Sequence, residues 1–297
     1  MSSTFTGVDW GTSAFRAARV VDGLAERRIA ASEGALSVPP GGHADALKRL
    51  LAGWPPNGPI VLSGMVGSRQ GWREAPYAPC PADAAALAAK SVRWREPGLG
   101  DIVLLPGVTV RDPGGAPDVM RGEETQIFGA MNALGVRDGV FILPGTHSKS
   151  ADVRDGQIEG FATFMTGEIY GVLKAHSVLG RLMSEDPGDG AGFALGVGHG
   201  AQAGPPGALL HRLFATRTLG LFNDLPAAEL DDYLSGLLIG AELAASLPAG
   251  SRGGFVVGAD ALTHRYQKAA QLLGMALTAA PGDCALIGQG LILEQMP

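Results

Sequence analysis

The chain has 297 residues, 46% hydrophobic and 18% charged, a composition that builds globular domains and excludes a disordered chain. That length accommodates two domains of ordinary size, and a formal net charge of −6 argues against a nucleic-acid or anionic-membrane surface. The two cysteines, Cys80 and Cys284, have no metal-like spacing and speak against a disulfide framework or a zinc site. With no leader-like start and no apolar run of membrane-spanning length, a cytoplasmic protein is expected.

Residues 4–19 read T-F-T-G-V-D-W-G-T-S-A-F-R-A-A-R. A β-rich run ends in Asp9, and after Trp10 comes a small-residue turn, Gly11-Thr12-Ser13. Gly11 is expected to supply unusual backbone angles, so that consecutive N–H groups converge on an anion. Thr12 and Ser13 add hydroxyl donors, and Asp9 is placed to hold a hydrated Mg²⁺. Taken alone, the stretch reads equally well as an ordinary hairpin whose Asp caps the turn.

A helix is predicted over residues 44–54, then a buried parallel strand over 59–62. That strand runs into S-G-M-V-G-S-R-Q-G-W, where Ser68 could donate to a small polar ligand and Trp72 could wall it; a glycine-rich turn with a core Trp fits as well. An Ala-rich helix over 82–90, a strand over 102–105 and a loop over 111–117 follow. Residues 119–126, V-M-R-G-E-E-T-Q, precede an apolar-periodic run and so belong at a helix N-terminus. Acids there commonly do no more than complement the helix dipole, but Arg121 is not needed for capping.

The first turn has an echo. Residues 140–149 read V-F-I-L-P-G-T-H-S-K, a second strand with a Gly-Thr turn, and this suggests two similar halves offering turns to one polyphosphate. Gly145, Thr146, His147 and Lys149 are the candidates here, with Arg16, Arg121 and Lys149 as local positive charge. A helix is expected from Thr166 to His176, with Glu168 either facing the cleft or merely starting it. The Gly-rich residues 187–207 partly mimic a nucleotide loop but lack a preceding strand, so a mobile connection is expected. A helix over 232–243 puts Gly236 and Gly240 on one face for close packing, with Glu242 on the surface rather than at a ribose. Residues 253–266 form a strand that ends in Gly258 and opens a helix, a geometry suited to a nucleoside lying on Gly258. A last helix is expected over 282–293.

These three turns resemble the phosphate-1, phosphate-2 and adenosine motifs of the superfamily of actin, the heat-shock chaperone ATPases and the sugar kinases. Within it the chain resembles the 2-dehydro-3-deoxygalactonokinases (2-keto-3-deoxygalactonate kinases). D-W-G-T-S-A-F-R-A, G-M-V-G-S-R-Q-G-W, V-M-R-G-E-E-T-Q, P-G-T-H-S-K, F-M-T-G-E and Y-L-S-G-L-L-I-G-A-E carry the resemblance from end to end. One departure is Ala14, where the family usually has Asn.

The resemblance implies an α/β protein of two ribonuclease H-like domains of the actin-like ATPase superfamily, with an ATP cleft between them. Residues 1–137 would hold the sugar-acid pocket and 138–297 the adenosine site, with the last helix able to pack back on the first domain. It implies ATP and Mg²⁺ as cofactors and phosphorylation of 2-dehydro-3-deoxy-D-galactonate at O6. Glu124, then Glu123, would be the base, by similarity to the G-x-E-E stretch of related polyphosphatases. Arg16, Ser68, Trp72 and Arg121 would bind the acid, and Gly11 to Ser13, Gly145 to His147, Lys149 and Gly258 the nucleotide. A homodimer is left open, and no nucleic-acid or membrane partner is expected. The rivals are a phosphohydrolase of polyphosphate, disfavoured by the acidic composition, and an ATP-driven switch, for which the chain leaves little room.

Overall fold

The computed structural model describes residues 4–55, 58–186, 188–202, 204, 207–247 and 250–297. Two compact units emerge, neither an uninterrupted half of the chain: residues 1–139, 152–161 and 280–297 form the first, and 140–151 and 162–279 the second.

In the first unit, strands β1 (Phe5–Trp10), β2 (Phe15–Val21) and β3 (Leu24–Ala31) form an antiparallel meander. Helix α1 (His43–Leu50) leads to β4 (Ile60–Ser63), which lies parallel to β1. After β5 (Tyr77–Pro79) and α2 (Ala84–Lys90) come β6 (Val92–Glu96) and β7 (Gly100–Leu104), completing a sheet ordered β3-β2-β1-β4-β7-β6. Strand β8 (Gly107–Arg111) pairs with β5 and with β9 (Pro117–Met120) in a small second sheet, and α3 (Glu123–Leu134) follows. Strand β6, V-R-W-R-E, is absent from the sequence reading although Val92 and Trp94 alternate with arginines as a half-buried strand requires. The core is Val8, Trp10, Phe15, Leu47, Leu62 and Leu104, with the ends of the parallel strands packed under α1. Parallel strands covered on both faces read as continuous apolar runs, and I-V-L-S is fully buried.

Strands β10 (Gly139–Leu143), β11 (Ser148–Arg154) and β12 (Gln157–Phe164) follow, of which residues 140–151 and 162–164 belong to the second unit and 152–161 to the first. Helices α4 (Thr166–His176), α5 (Ala191–Ala201), α6 (Ala208–Leu213), α7 (Ala215–Leu221) and α8 (Ala227–Ser246) precede β13 (Gly253–Val256), α9 (Asp260–Leu272) and β14 (Ala276–Ala279). The sheet order is β12-β11-β10-β13-β14, with β10, β13 and β14 parallel.

The Gly-rich stretch expected as a mobile connection is, in its described part, mostly helix α5; Pro187, Ala203, Pro205 and Pro206 lie outside the described residues. Its glycines serve packing, not nucleotide binding. A methyl group on Gly192, Gly196 or Gly200 would come within 2.0–2.2 Å of backbone oxygens of α8. On α8, Gly236 and Gly240 meet the α5 backbone in the same way. The final helix, α10 (Cys284–Glu294), belongs to the first unit, where Gly129 of α3 and Gly288 of α10 permit an equally close crossing. Its Gln289 Nε2 donates to the Val8 carbonyl and to Ser63 Oγ, tying β1 to β4. Among the described residues no helix is long and apolar enough to cross a membrane.

Candidate active site

In the first unit three chain segments meet at the end of the parallel strands. Strand pairing sets Asp9 opposite Arg16 on β2 and beside Ser63 on β4. Arg16 is largely exposed, and its Nη1 lies 3.8 Å from Asp9 Oδ2. Burial pushes the Asp9 carboxyl up to about 6; Arg16 opposes that shift, and the charge of Glu123 adds to it.

The backbone on which this meeting depends is glycine, though not at Gly11. Gly64 (φ +90°) and Gly122 (φ +109°) adopt the angles that side chains resist. A methyl group on Gly64 would lie 2.9 Å from the Trp10 carbonyl oxygen and 3.2 Å from Asp9 Oδ1, and one on Gly122 3.2 Å from the Gly64 Cα. The end of β4 and the start of α3 are thus stacked, backbone on backbone, against Asp9. Gly11, expected to supply those angles, lies outside the left-handed region, and its N–H closes the turn on the Ala14 carbonyl at 2.9 Å. Gly34 braces the turn from behind, where a methyl group would fall 1.7 Å from the Thr12 carbonyl oxygen. The side chains of Thr12 and Ser13 are exposed.

The adjacent pair of glutamates at the start of α3 divides into unlike roles. Glu124 is fully buried, and its oxygens accept the Gly122 N–H at 2.9 and 2.7 Å. Burial, with the Glu123 charge added, pushes its carboxyl up to about 8. Glu123 is only partly buried and accepts the Arg121 N–H at 3.0 Å.

Arg121 is 8% exposed. Its Nη2 donates to the Ala75 carbonyl at 2.8 Å, and its guanidinium lies 4.3 Å from the Tyr77 ring centroid. Among the described residues its Nε and Nη1, like the buried Ser68 Oγ, have no hydrogen-bond partner. Nη1 faces the loop that carries Ser68, since a methyl group on Gly67 would lie 3.1 Å from it. A buried cation with idle donors is costly unless an anion completes it. Trp72, expected to wall this pocket, is half-buried among core aromatics, stacked on His43 and edge-on to Trp94.

In the second unit, Gly145, Thr146 and His147 form the link between β10 and β11. The Thr146 carbonyl accepts the Glu168 N–H at 3.0 Å, and Gly167 fits against Gly145 and Thr146 where a methyl group would not. His147 Nε2 pairs with the Glu168 carboxylate. Lys149 is buried, with its Nζ donating to the His147 carbonyl at 3.2 Å. Beside Gly145 lies a cavity of about 270 Å³, whose walls include Thr166, Tyr170, Asp231, Asp232 and Arg265. Asp231 accepts the Tyr170 hydroxyl at 2.6 Å, and Asp232 pairs with Arg265 at 2.6 Å. Gly258 is exposed after β13, near Pro144, and is not among the lining residues.

The sequence reading missed Gly64, Gly122, Asp231, Asp232 and Arg265 as site-forming residues. The signal for the α8 pair was there: Asp231, Asp232, Ser235, Leu238 and Ile239 recur at helical spacing on one face, and all line the cavity. Glu242, expected on the surface, is 2% exposed.

The fold is that of the actin-like ATPases and sugar kinases. It is shared, at 13% identity and a TM-score of 0.51, with the Clostridium difficile activator of 2-hydroxyisocaproyl-CoA dehydratase, over 99% of this chain and 96% of that one. Within that class the chain belongs to the 2-keto-3-deoxy-galactonokinase family, whose model matches residues 9–292. The 2-dehydro-3-deoxygalactonokinase of Escherichia coli (strain K12) is 33% identical over 289 residues, 96% of this chain and 95% of that protein. A Sinorhizobium meliloti crystal structure described under the same kinase name superposes with a TM-score of 0.85 at 36% identity, covering 97% of this chain and 94% of that one.

Proposed function

We propose that this protein phosphorylates 2-dehydro-3-deoxy-D-galactonate at O6 with ATP, as a cytoplasmic sugar-acid kinase. Family membership supports the reaction class, and one observation supports the acceptor class: the buried Arg121, with Nε and Nη1 unpartnered beside a loop whose Ser68 hydroxyl is equally idle. A carboxylate would complete such a buried guanidinium with charge-assisted hydrogen bonds, and an uncharged sugar brings no charge to it.

In this reading Arg121 and Ser68 orient the acid so that its terminal hydroxyl faces Glu123. Glu123 takes the base role ahead of Glu124, reversing the order expected from sequence. Its partial exposure lets a hydroxyl reach it, whereas Glu124 is sealed and spends both oxygens on the Gly122 N–H. Glu123 accepts the proton as the hydroxyl oxygen engages phosphorus. Positioning and charge neutralisation are the protein's main tasks in such transfers.

The donor set suits magnesium. Asp9 supplies a hard carboxylate oxygen at the end of β1. Asp9 would hold the ion through water, and when bound it would neutralise phosphate charge. The turn residues Gly11 to Ser13, with Arg16, serve the phosphates in the first unit. In the second unit Gly145, Thr146 and His147 do so, and the cavity beside Gly145 takes the nucleoside, with Asp231 and Asp232 as acceptors for its hydroxyls.

The test is ADP release from MgATP with 2-keto-3-deoxy sugar acids, neutral hexoses and no acceptor. Turnover that requires the galactonate-derived acid is expected. Equal turnover without an acceptor would overturn the reading.

A further inference from the structure

Glu242 is a carboxylate that the reaction as described does not use. It projects from α8 into the second unit, 2% exposed, and three hydroxyls donate to it. Ser148 Oγ reaches Oε1 at 2.5 Å, while Thr166 Oγ1 and the Tyr266 hydroxyl (2.7 Å) reach Oε2. The three donors come from different elements: the first residue of β11, the first residue of α4, and the middle of α9. Ser148 directly follows the turn of residues 145–147. Thr166 and Tyr266 line the cavity beside Gly145. The same α4 start is bonded to the turn through the Glu168 N–H and fitted to it through Gly167.

A buried carboxylate is a poor way to gain stability, because its desolvation offsets most of what its partners return. Burial pushes the Glu242 carboxyl up and the three hydroxyls oppose that shift; in the ionised form, which they favour, it is an acceptor and nothing else, so every hydroxyl bonded to it must point its hydrogen inward. Ser148, Thr166 and Tyr266 are therefore fixed in rotor as well as in place. Towards the cavity, Thr166 and Tyr266 present oxygen lone pairs, which match the donor groups of a nucleoside and not a phosphate.

We propose that Glu242 is a positioning residue for the nucleotide: it locks the turn 145–147 to the start of α4 and to the cavity wall, and so sets ATP affinity without touching ATP. This rests on the reading that the nucleotide occupies that turn and cavity. Glu242→Gln keeps the shape but replaces one acceptor oxygen with a donor, so at least one hydroxyl must turn its hydrogen away or lose its bond. Thr166→Val removes one of the three donors, and Thr166→Ser returns it.

Direct binding of MgATP by calorimetry, and KM for ATP and for the acid alongside kcat, are measured for wild type and the three variants. The expected result is an ATP Kd and KM raised about tenfold or more in Glu242→Gln and several-fold in Thr166→Val, following the loss of charge-assisted hydrogen bonds. Thr166→Ser returns both to near wild type, and KM for the acid stays within about twofold throughout, well below the tenfold that 1.4 kcal/mol represents. Wild-type ATP binding in both Glu242→Gln and Thr166→Val overturns the proposal, as does an equal rise in KM for acid and ATP. Should Glu242→Gln not fold, the Val and Ser variants decide alone. Because binding is read without turnover, failure of the wild type to phosphorylate the acid would count against the proposed function and leave this result standing.

Discussion

The two Gly-Thr turns look alike in sequence and are built in opposite ways. In the first unit the turn is held by backbone: Gly11 closes on Ala14, Ala35 donates to Gly11, and Gly34 leaves no room for a side chain behind Thr12. In the second unit one backbone bond, from the Glu168 N–H to the Thr146 carbonyl, is joined by side chains, His147 on Glu168 and Ser148 on the buried Glu242, while Gly145 has open space around it. A shared motif therefore does not specify what fixes the loop that carries it. A backbone-built turn tolerates surface change but no added bulk. A side-chain-built turn tolerates bulk and depends on a few polar groups.

The largest effect expected is chemical. Glu123→Gln should lower kcat about 10²- to 10⁴-fold with little change in KM for ATP, the usual cost of losing a general base. Glu124→Gln should leave most of the turnover, and the reverse ranking would return the base role to the buried acid.

Next comes Arg121→Leu. KM for the acid should rise about 10- to 100-fold, the range for a lost charged hydrogen bond. Thermal stability should hold, because a buried cation with two idle donor nitrogens is replaced by apolar volume. A large fall in Tm would make Arg121 a structural residue instead.

The comparison of the turns is sharpest in the glycines. Gly34→Ala forces a methyl group onto the Thr12 carbonyl and should cost about 3 kcal/mol, or roughly 6–10 °C in Tm, whereas Gly145→Ala should stay within about 0.5 kcal/mol. Similar losses at both would dissolve the distinction.

The last effect is one of pH. Glu124 is raised to about 8 from an ordinary carboxyl value near 4.5. Between those values the unfolded chain has released the proton and the folded chain keeps it, so stability falls as pH rises across that window. Glu124→Gln removes the dependence. Its Tm relative to wild type should therefore climb from about pH 5 to pH 8 and level off above, by a few degrees. A constant difference across that range would mean that Glu124 is ionised in the folded protein.

What could be read from sequence was what local pattern carries. Asp9 stands at the end of an apolar strand, Glu123 and Glu124 precede an apolar helical run, and the Gly-Thr turn recurs after β10. The glycines were misassigned because a glycine in sequence does not say whether it bends the chain or makes room for a neighbour. Gly11 looked like the bend, yet the positive angles belong to Gly64 and Gly122, which only the stacking of β4 on the start of α3 demands. Glu242 was read as a surface residue because its hydroxyl partners lie 24 to 94 residues away in the chain. Burial produced by such long-range pairing leaves no local trace.

The glycine-lined crossing of α5 and α8 also marks where this enzyme could be hardened against heat. Replacing helical glycines with alanine ordinarily gains about 0.5–1 kcal/mol by restricting the unfolded chain. Here Gly192, Gly196, Gly200, Gly236 and Gly240 are closed to that strategy, since a single methyl group at any of them would drive the helices apart. Gly171 on α4 and Gly198 on the outward side of α5 have nothing within 4 Å of the added carbon. On neighbouring turns of one helix, then, Gly198 can be changed for gain while Gly196 and Gly200 must be kept.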